Sequence, residues 1–389
     1  MSRRCFILLA LTLLLSACQA SSAAPIAPAT ALPQEAQASP TPAAVFPTDT
    51  PAPVQPAVQA LPSAAPSSPT PIPPTATPLP EGITTLLFTG VIVPARCVQA
   101  AIDERGDNDY PYNAVRSIIQ EADLAVGTLN ATFSDYPPHT GCVPTYVLVG
   151  SANNADALER AGFDVMSVAT NHIKNCGPAN CGDRPFLETL DNLRRVGILP
   201  VGAGLNHAEA MQPVVVTANG VRFGIVSLGQ IEPMAFAGED TPGIAILNKE
   251  NLEAAIAAAR QVSDVVIAMP HWGPEDVAIP NGIQQNLARQ AVEAGADLVV
   301  GNHTHVVQAI QEIDGVPVFY GLGNFVFDQT WADDHQQGVI LLVRYAGEKY
   351  LGYELIPTHV DGDGRVTIAQ PEEAQQILDR IEAASRAVR

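Results

Sequence analysis

The sequence predicts an α/β domain carried behind an export signal and a disordered spacer. Three features of the 389 residues support this. From residue 82 onward, short apolar runs alternate with longer amphipathic stretches, which is how strands and crossover helices look in a sequence. Several apolar runs end in small polar clusters, the usual place for ligand-facing residues in α/β sheets. Ahead of all this, residues 19–81 are so poor in apolar and charged side chains other than Ala, Pro and Val that no core is expected there.

The amino terminus, residues 1–18, reads as a lipoprotein signal. Arg3 and Arg4 precede an apolar run from Cys5 to Leu14, and then comes Leu15-Ser16-Ala17-Cys18. Basic residues, an apolar stretch and small residues before a cleavage point define a secretory signal. The run is shorter than the roughly twenty residues that span a bilayer. Its ending matches a lipobox, so Cys18 is the expected lipidation site. The protein is then exported and lipid-anchored at the outer face of the cell membrane. Residues 19–80, which follow, hold 17 of the 34 prolines and only two charged residues, Glu35 and Asp49. Such a segment favours extended polyproline conformations and acts as a semi-rigid tether.

The remainder, residues 82–389, is long enough for one large core and shows no second linker. Expected strands are Thr84–Val93, Leu124–Gly127, Asp164–Val168, Arg222–Leu228, Val265–Met269, Leu298–Gly301 and Val316–Tyr320. Pro317 inside the last marks an edge strand, or one that begins at Val318. Expected helices are Pro111–Glu121, Ala155–Ala161, Phe186–Val196, Lys249–Gln261 and Ile283–Ala294. Near the end, Gly338–Tyr345 and Tyr350–Thr358 read as a hairpin turning at Gly347, followed by a closing helix over Glu372–Arg386. Nearly all of the net charge of −20 lies in this domain. That excess of acid argues against nucleic acid as a partner.

Beyond Cys5 and Cys18, four cysteines remain: Cys97, Cys142, Cys176 and Cys181. An even number in an exported chain points to disulfides. Local spacing favours Cys176 with Cys181, which leaves Cys97 for Cys142. The rival reading is a zinc site of His172, Cys176 and Cys181.

Candidate chemistry centres on histidine. Gly301-Asn302-His303-Thr304-His305 follows a strand directly, and His303 and His305 reach one ion if the backbone turns between them. His172 and His271 each follow a strand-like run of their own, beside Asn or Gly residues that permit tight turns. Histidines hydrogen-bonded within buried loops, with no ion, are the bland alternative.

The ordered landmarks His271-Trp272-Gly273-Pro274-Glu275, Leu287-Ala288-Arg289, Gly295-Ala296-Asp297, Gly301-Asn302-His303-Thr304-His305-Val306 and Tyr320-Gly321-Leu322-Gly323-Asn324-Phe325 with Asp328 resemble those of the CapA, or poly-γ-glutamate capsule synthesis, family. Gly90, Arg96, Leu129 and Asn171-His172 with Gly177 occupy the matching earlier places. The resemblance implies a calcineurin-like metallophosphatase fold, an α/β/β/α sandwich. It also implies surface display and partnership with an anionic cell-envelope polymer or the capsule-synthesis machinery. On the same ground His172, His271, His303 and His305 are expected as nitrogen ligands, with Asn171 as an amide ligand.

Three departures bear on chemistry. Where the family carries an Asp after the first strand's Gly, this chain has Val91; where it carries Asn-Leu-Glu, this chain has Thr128-Leu129-Asn130; and the Asp after Asn-His is Asn175. Hard cations need carboxylates, so a two-metal site is disfavoured. What remains is a single divalent transition metal, Zn or Mn, with Glu275 or Asp328 supplying an oxygen. Two functions follow. One is a non-hydrolytic surface protein that binds or helps assemble an envelope polymer. The other is a single-metal hydrolase of amides or phosphoesters, with His271 or Glu275 handling protons.

Overall fold

A computed structural model describes residues 82–174, 182–231 and 233–388. The signal, Cys18, the spacer, Asn175, Cys176 and Cys181 lie outside the described residues. In the first half come β1 (Ile83–Ile92), α1 (Cys97–Arg105), α2 (Arg116–Gln120), β2 (Leu124–Leu129), β3 (Thr132–Phe133), β4 (Val149–Gly150) and α3 (Asn154–Ala161). Next are β5 (Val165–Ser167), α4 (Arg184–Arg195), β6 (Leu199–Val201), β7 (Ala203–Gly204) and α5 (His207–Ala210). The second half supplies β8 (Val214–Ala218), β9 (Val221–Gly229), β10 (Gly243–Ile244), α6 (Lys249–Val262), β11 (Val265–His271), α7 (Gly282–Glu293) and β12 (Leu298–Val300). It closes with β13 (Ile310–Ile313), β14 (Val316–Phe319), β15 (Asn324–Val326), β16 (Gln337–Ala346), β17 (Lys349–Val360), β18 (Val366–Ile368) and α8 (Pro371–Ala387).

Two sheets stack face to face. The first runs β18-β17-β16-β1-β2-β5-β6, with β15 also beside β1, and the second runs β13-β14-β12-β11-β9-β8. β1, β2, β5 and β6 are mutually parallel, as are β9, β11, β12 and β14. The period of two along each strand decides which face each side chain meets. Leu86 and Phe88 of β1 and Val126 of β2 pack with Ile225, Ile267 and Val300 of the second sheet in a core between the sheets. Leu87 and Ala125, one residue out of phase, pack outward with Ile102, Leu158 and Leu190 of α1, α3 and α4. On the other outer face Val226, Val266 and Val299 meet Leu252 and Ile256 of α6 and Ala288 of α7. Each such side chain contributes on the order of 1.5–3 kcal/mol by leaving water. The result is the four-layer α/β/β/α sandwich that the family resemblance implies.

The helices show why they start where they do. In α6 the Asn248 side chain accepts from the Asn251 N–H, and Leu252, Ala255, Ile256 and Ala259 make one buried stripe. In α7 Asn281 and Gln284 form a capping box. Two expectations need correction. The helix expected from Pro111 begins only at Arg116. Before it the backbone makes four-residue turns (Tyr112 N–H to the Asp109 carbonyl, Val115 N–H to the Tyr112 carbonyl), and the Asp107 carboxylate takes the Asp109 N–H, competing with helical bonds. Pro317 does not mark an edge, because β14 lies between β12 and β13. The pairing with β12 runs through Val318 and Phe319, and Pro317 lies opposite Glu312 of β13. The missing N–H thus falls before the β12 ladder starts. Among the described residues no helix is long and apolar enough to cross a membrane.

Candidate functional site

Because both sets of parallel strands end on the same side of the sandwich, the segments that follow them meet there. Asn130 follows β2, Asn171 and His172 follow β5, His271 ends β11, and His303 and His305 follow β12. Asn302 ties the two sheets together. It pairs with His271 in a β-bridge, and its Nδ2 donates to Thr128 Oγ1 of β2 at 2.7 Å. One contact accounts for the close packing beneath the site. The buried Trp272 donates its indole N–H to the Tyr320 carbonyl at 3.0 Å, and a Cβ on Gly301 would sit 2.3 Å from that carbonyl oxygen and 2.4 Å from the indole nitrogen. Only glycine lets strand β12 pass so close.

The backbone turn required between His303 and His305 is present as two left-handed residues, with φ of 103° at His303 and 60° at His305. Arg96 and Asp276, which flank the same region, also have positive φ. Each such non-glycine residue costs on the order of 1–3 kcal/mol, and such strain gathers at functional sites.

A hydrogen-bonded chain of amides and imidazoles runs through the centre, and its polarity follows from one unambiguous donor. The His172 backbone N–H donates to Asn130 Oδ1 at 2.9 Å, so Asn130 turns its Nδ2 toward Asn171 and donates to Asn171 Oδ1 at 3.0 Å. That oxygen then accepts from His271 Nε2 at 2.9 Å, and His303 Nδ1 lies 3.2 Å from the same His271 nitrogen. His271 therefore carries its proton on Nε2, which leaves its buried Nδ1 without a hydrogen-bond partner. His305 points elsewhere: its Nδ1 meets Asn324 Oδ1 at 2.9 Å. His172 lies flat against the ring of Tyr146, with centroids 6.1 Å apart and planes 5° from parallel.

Electrostatics keep these rings uncharged. Burial first, and then the neighbouring imidazoles, push His303 down to about 3 and His271 well below the ordinary histidine value. Burial, then His305 and the Arg96 guanidinium, lower His172 to about 4. His305 falls to about 4 for the same first reason. Glu275 sits at the rim, its Oε1 3.9 Å from His303 Nε2 and 3.8 Å from His305 Nε2, and burial raises its carboxyl above the usual value. A cleft of about 490 Å³ opens over this arrangement, walled by Tyr146, Ile231, Gly273 and Pro274.

Of the five expected ligands, the structure links Asn171, His271 and His303 through one nitrogen, His271 Nε2. His305 is turned to Asn324, and His172 lies beside Tyr146 with its buried Nδ1 lacking a hydrogen-bond partner. Donor atoms bound about 2.0–2.1 Å from a common ion lie roughly 3–3.4 Å apart, close to the 2.9 and 3.2 Å seen here. With its Nε2 proton removed, His271 together with His303 and Asn171 could offer donors to a single ion, while among the described residues no group of three or more His, Cys, Asp or Glu side chains is placed to hold one. Asp328 supplies no oxygen to the histidines. It is paired with Arg96 through Nε at 3.1 and 3.2 Å and through Nη2, and it accepts the Cys97 N–H that opens α1. Val91 is fully buried, in register with Asn324 and Thr128 on the neighbouring strands. Cys97 and Cys142 form a disulfide. Tyr146 gave no signal in the sequence, because it lies on a loop and nothing in its spacing connects it to His172.

Comparison with known proteins follows the same motifs. The family model described as bacterial capsule synthesis protein PGA_cap matches residues 85–329, more than half of the chain. The PGA biosynthesis protein CapA of Bacillus subtilis (strain 168) is 28% identical over 263 residues, 67% of this chain and 67% of that protein. The capsule biosynthesis protein CapA of Bacillus anthracis is 30% identical over 256 residues, 64% of this chain and 60% of that one. The chain thus spans only part of the length of these relatives. Among solved structures, the 5'-nucleotidase precursor of Thermus thermophilus is 15% identical with a TM-score of 0.43, covering 79% of this chain and 59% of that one. The NAD nucleotidase of Haemophilus influenzae is 12% identical with a TM-score of 0.43, covering 77% and 62%. With one family model running unbroken from β1 to the residue after Asp328, the chain belongs to the bacterial capsule synthesis protein family, PGA_cap, whose relatives include the CapA proteins.

Proposed function

We propose that this protein is a surface accessory factor in the assembly, export or anchoring of an anionic, amide-linked envelope polymer of the poly-γ-glutamate type. It is tethered at the outer membrane face through Cys18 and holds polymer in the cleft above the histidines without hydrolysing it. The observation that carries the reading is Asn130. At a place where the family has a carboxylate, an amide donates to Asn171 Oδ1 and accepts from the His172 backbone, a role no ionised carboxylate can fill. With Val91 at another acid position, the centre lacks the negative charge that would hold two cations together. Names of relatives that refer to PGA and capsule biosynthesis support the polymer class.

A single-metal hydrolase is the second reading, favoured by Glu275. Its raised carboxyl stands beside His303 and His305, as a proton-handling group would, with His271 the alternative for that role. Elemental analysis and polymer retention separate the two. The accessory reading expects the immobilised full-length protein to retain poly-γ-glutamate at moderate salt without shortening it; failure to retain it would sink that reading. The hydrolase reading expects near-stoichiometric zinc or manganese and polymer or phosphoester cleavage, both lost in His303→Ala. Metal-free protein that takes up neither ion removes it.

A further inference from the structure

Tyr146 is 76% exposed, so its ring adds little to the core, yet its plane is held 5° from that of His172 at the mouth of the cleft. It sits on the irregular segment between β3 and β4. The ends of that segment are fixed by the pairing of the two short strands, with the Thr132 N–H bound to the Leu148 carbonyl at 2.8 Å and the Ser134 N–H to the Gly150 carbonyl at 3.1 Å. Its middle is fixed to the start of α1 at two adjoining residues. Cys142 is bonded to Cys97, and Arg96 Nη1 donates to the Thr145 carbonyl at 3.1 Å. Arg96 is itself held by Asp328. The residue next to Thr145 in sequence is Tyr146. One covalent and one polar anchor thus converge on the segment that presents an exposed aromatic ring to the cleft.

We propose that Tyr146 is a ligand-contacting residue: its ring is a flat wall on which an amide plane of the bound polymer stacks, and the Cys97–Cys142 disulfide keeps that wall in position. This rests on the reading of the protein as a holder of an amide-linked polymer. The amide, not the carboxylate, is the group recognised, because the wall is uncharged. Tyr146, Asn171, His172 and His303 offer neutral faces and hydrogen bonds, and among the described residues the carboxylate lining the cleft, Glu275, repels an anion. Aromatic faces bind planar groups through their π-system without needing a counter-charge. Binding should accordingly vary little with salt, unlike capture by surface charge.

The test is titration of the full-length protein in detergent with a synthetic γ-linked glutamate oligomer. Tyr146→Ala is expected to bind roughly three- to tenfold more weakly, and Tyr146→Phe within about twofold of the unaltered protein. Cys142→Ser should weaken binding as Tyr146→Ala does and should open the segment to chymotrypsin. If Tyr146→Ala binds as tightly as the unaltered protein, the assignment of Tyr146 is overturned while the polymer reading stands. If the unaltered protein does not bind at all, both fall. If Cys142→Ser neither weakens binding nor exposes a cleavage point, the role given to the disulfide is overturned.

Discussion

Asn130→Asp replaces one amide NH₂ by a carboxylate oxygen at the centre of the site and leaves the side chain's shape unchanged. The bond from the His172 N–H is kept, because it goes to an oxygen in both cases. The bond to Asn171 Oδ1, 3.0 Å in the unaltered protein, becomes a contact between two acceptors. Losing that bond costs about 1 kcal/mol. Burying a carboxylate that has no cationic partner costs roughly 2–4 kcal/mol more at neutral pH, since Asn130 is fully buried. Metal-free Asn130→Asp should therefore be about 3–5 kcal/mol less stable, a drop in Tm on the order of 10 °C for a domain of this size. The deficit should shrink in mild acid, where the protonated Asp regains a donor. Zinc should offset much of it, because the new carboxylate would join Asn171, His271 and His303 as a fourth donor; an ion present at about 100 times its Kd adds about 2.7 kcal/mol. The assay is thermal unfolding with chelator and with added zinc. Unchanged stability of the metal-free variant, or an equal zinc shift in both proteins, would refute the hydrogen-bond polarity assigned to the centre.

Other expectations follow from single contacts. Chelated protein should be most stable above about pH 6.5 and lose stability as pH falls toward 4, because the unfolded chain protonates histidines that the fold holds down at about 3 to 4; urea midpoints that do not fall between about pH 7 and pH 5 would contradict this. Gly301→Ala should destabilise by roughly 2–4 kcal/mol, since its Cβ would displace the Trp272 indole from the Tyr320 carbonyl; a denaturant midpoint unchanged from the parent would show that β12 can shift freely. Asp328→Asn strands the largely buried Arg96 guanidinium and should cost about 2–4 kcal/mol, read by the same denaturation, with Asp328→Glu recovering part of the loss.

How much of this was legible depended on range. Strands such as β9 and β11 announced themselves because their apolar runs are continuous and lie between clear breakers. Helix α6 did so because its buried positions recur at helical spacing and Asn248 caps it. Helix α1 was not visible, because it buries only Val98, Gln99, Ala101 and Ile102 along nine residues, too short a stripe to distinguish from a turn. Strand β13 was hidden in the same way: four residues of mixed polarity, paired to β14 across a turn at Asp314 and Gly315. Asp328 looked like a ligand in sequence because carboxylates near a histidine motif so often are. Its use by Arg96, far away in the chain, is a pairing that only the closure of β15 onto β1 creates.

The chain's order of residues was enough to determine its α/β class and the set of histidines and amides offered to the site, since these depend on periodicity, turn chemistry and which side chains follow each strand, while the four layers were implied by the family resemblance. Which of them meet was decided by the stacking of two separately formed sheets. That stacking sets Asn171 against His271 and turns His305 away toward Asn324. The physical reason is distance along the chain: contacts between residues tens to hundreds of positions apart depend on loop closure and packing of the whole core, which no local pattern encodes.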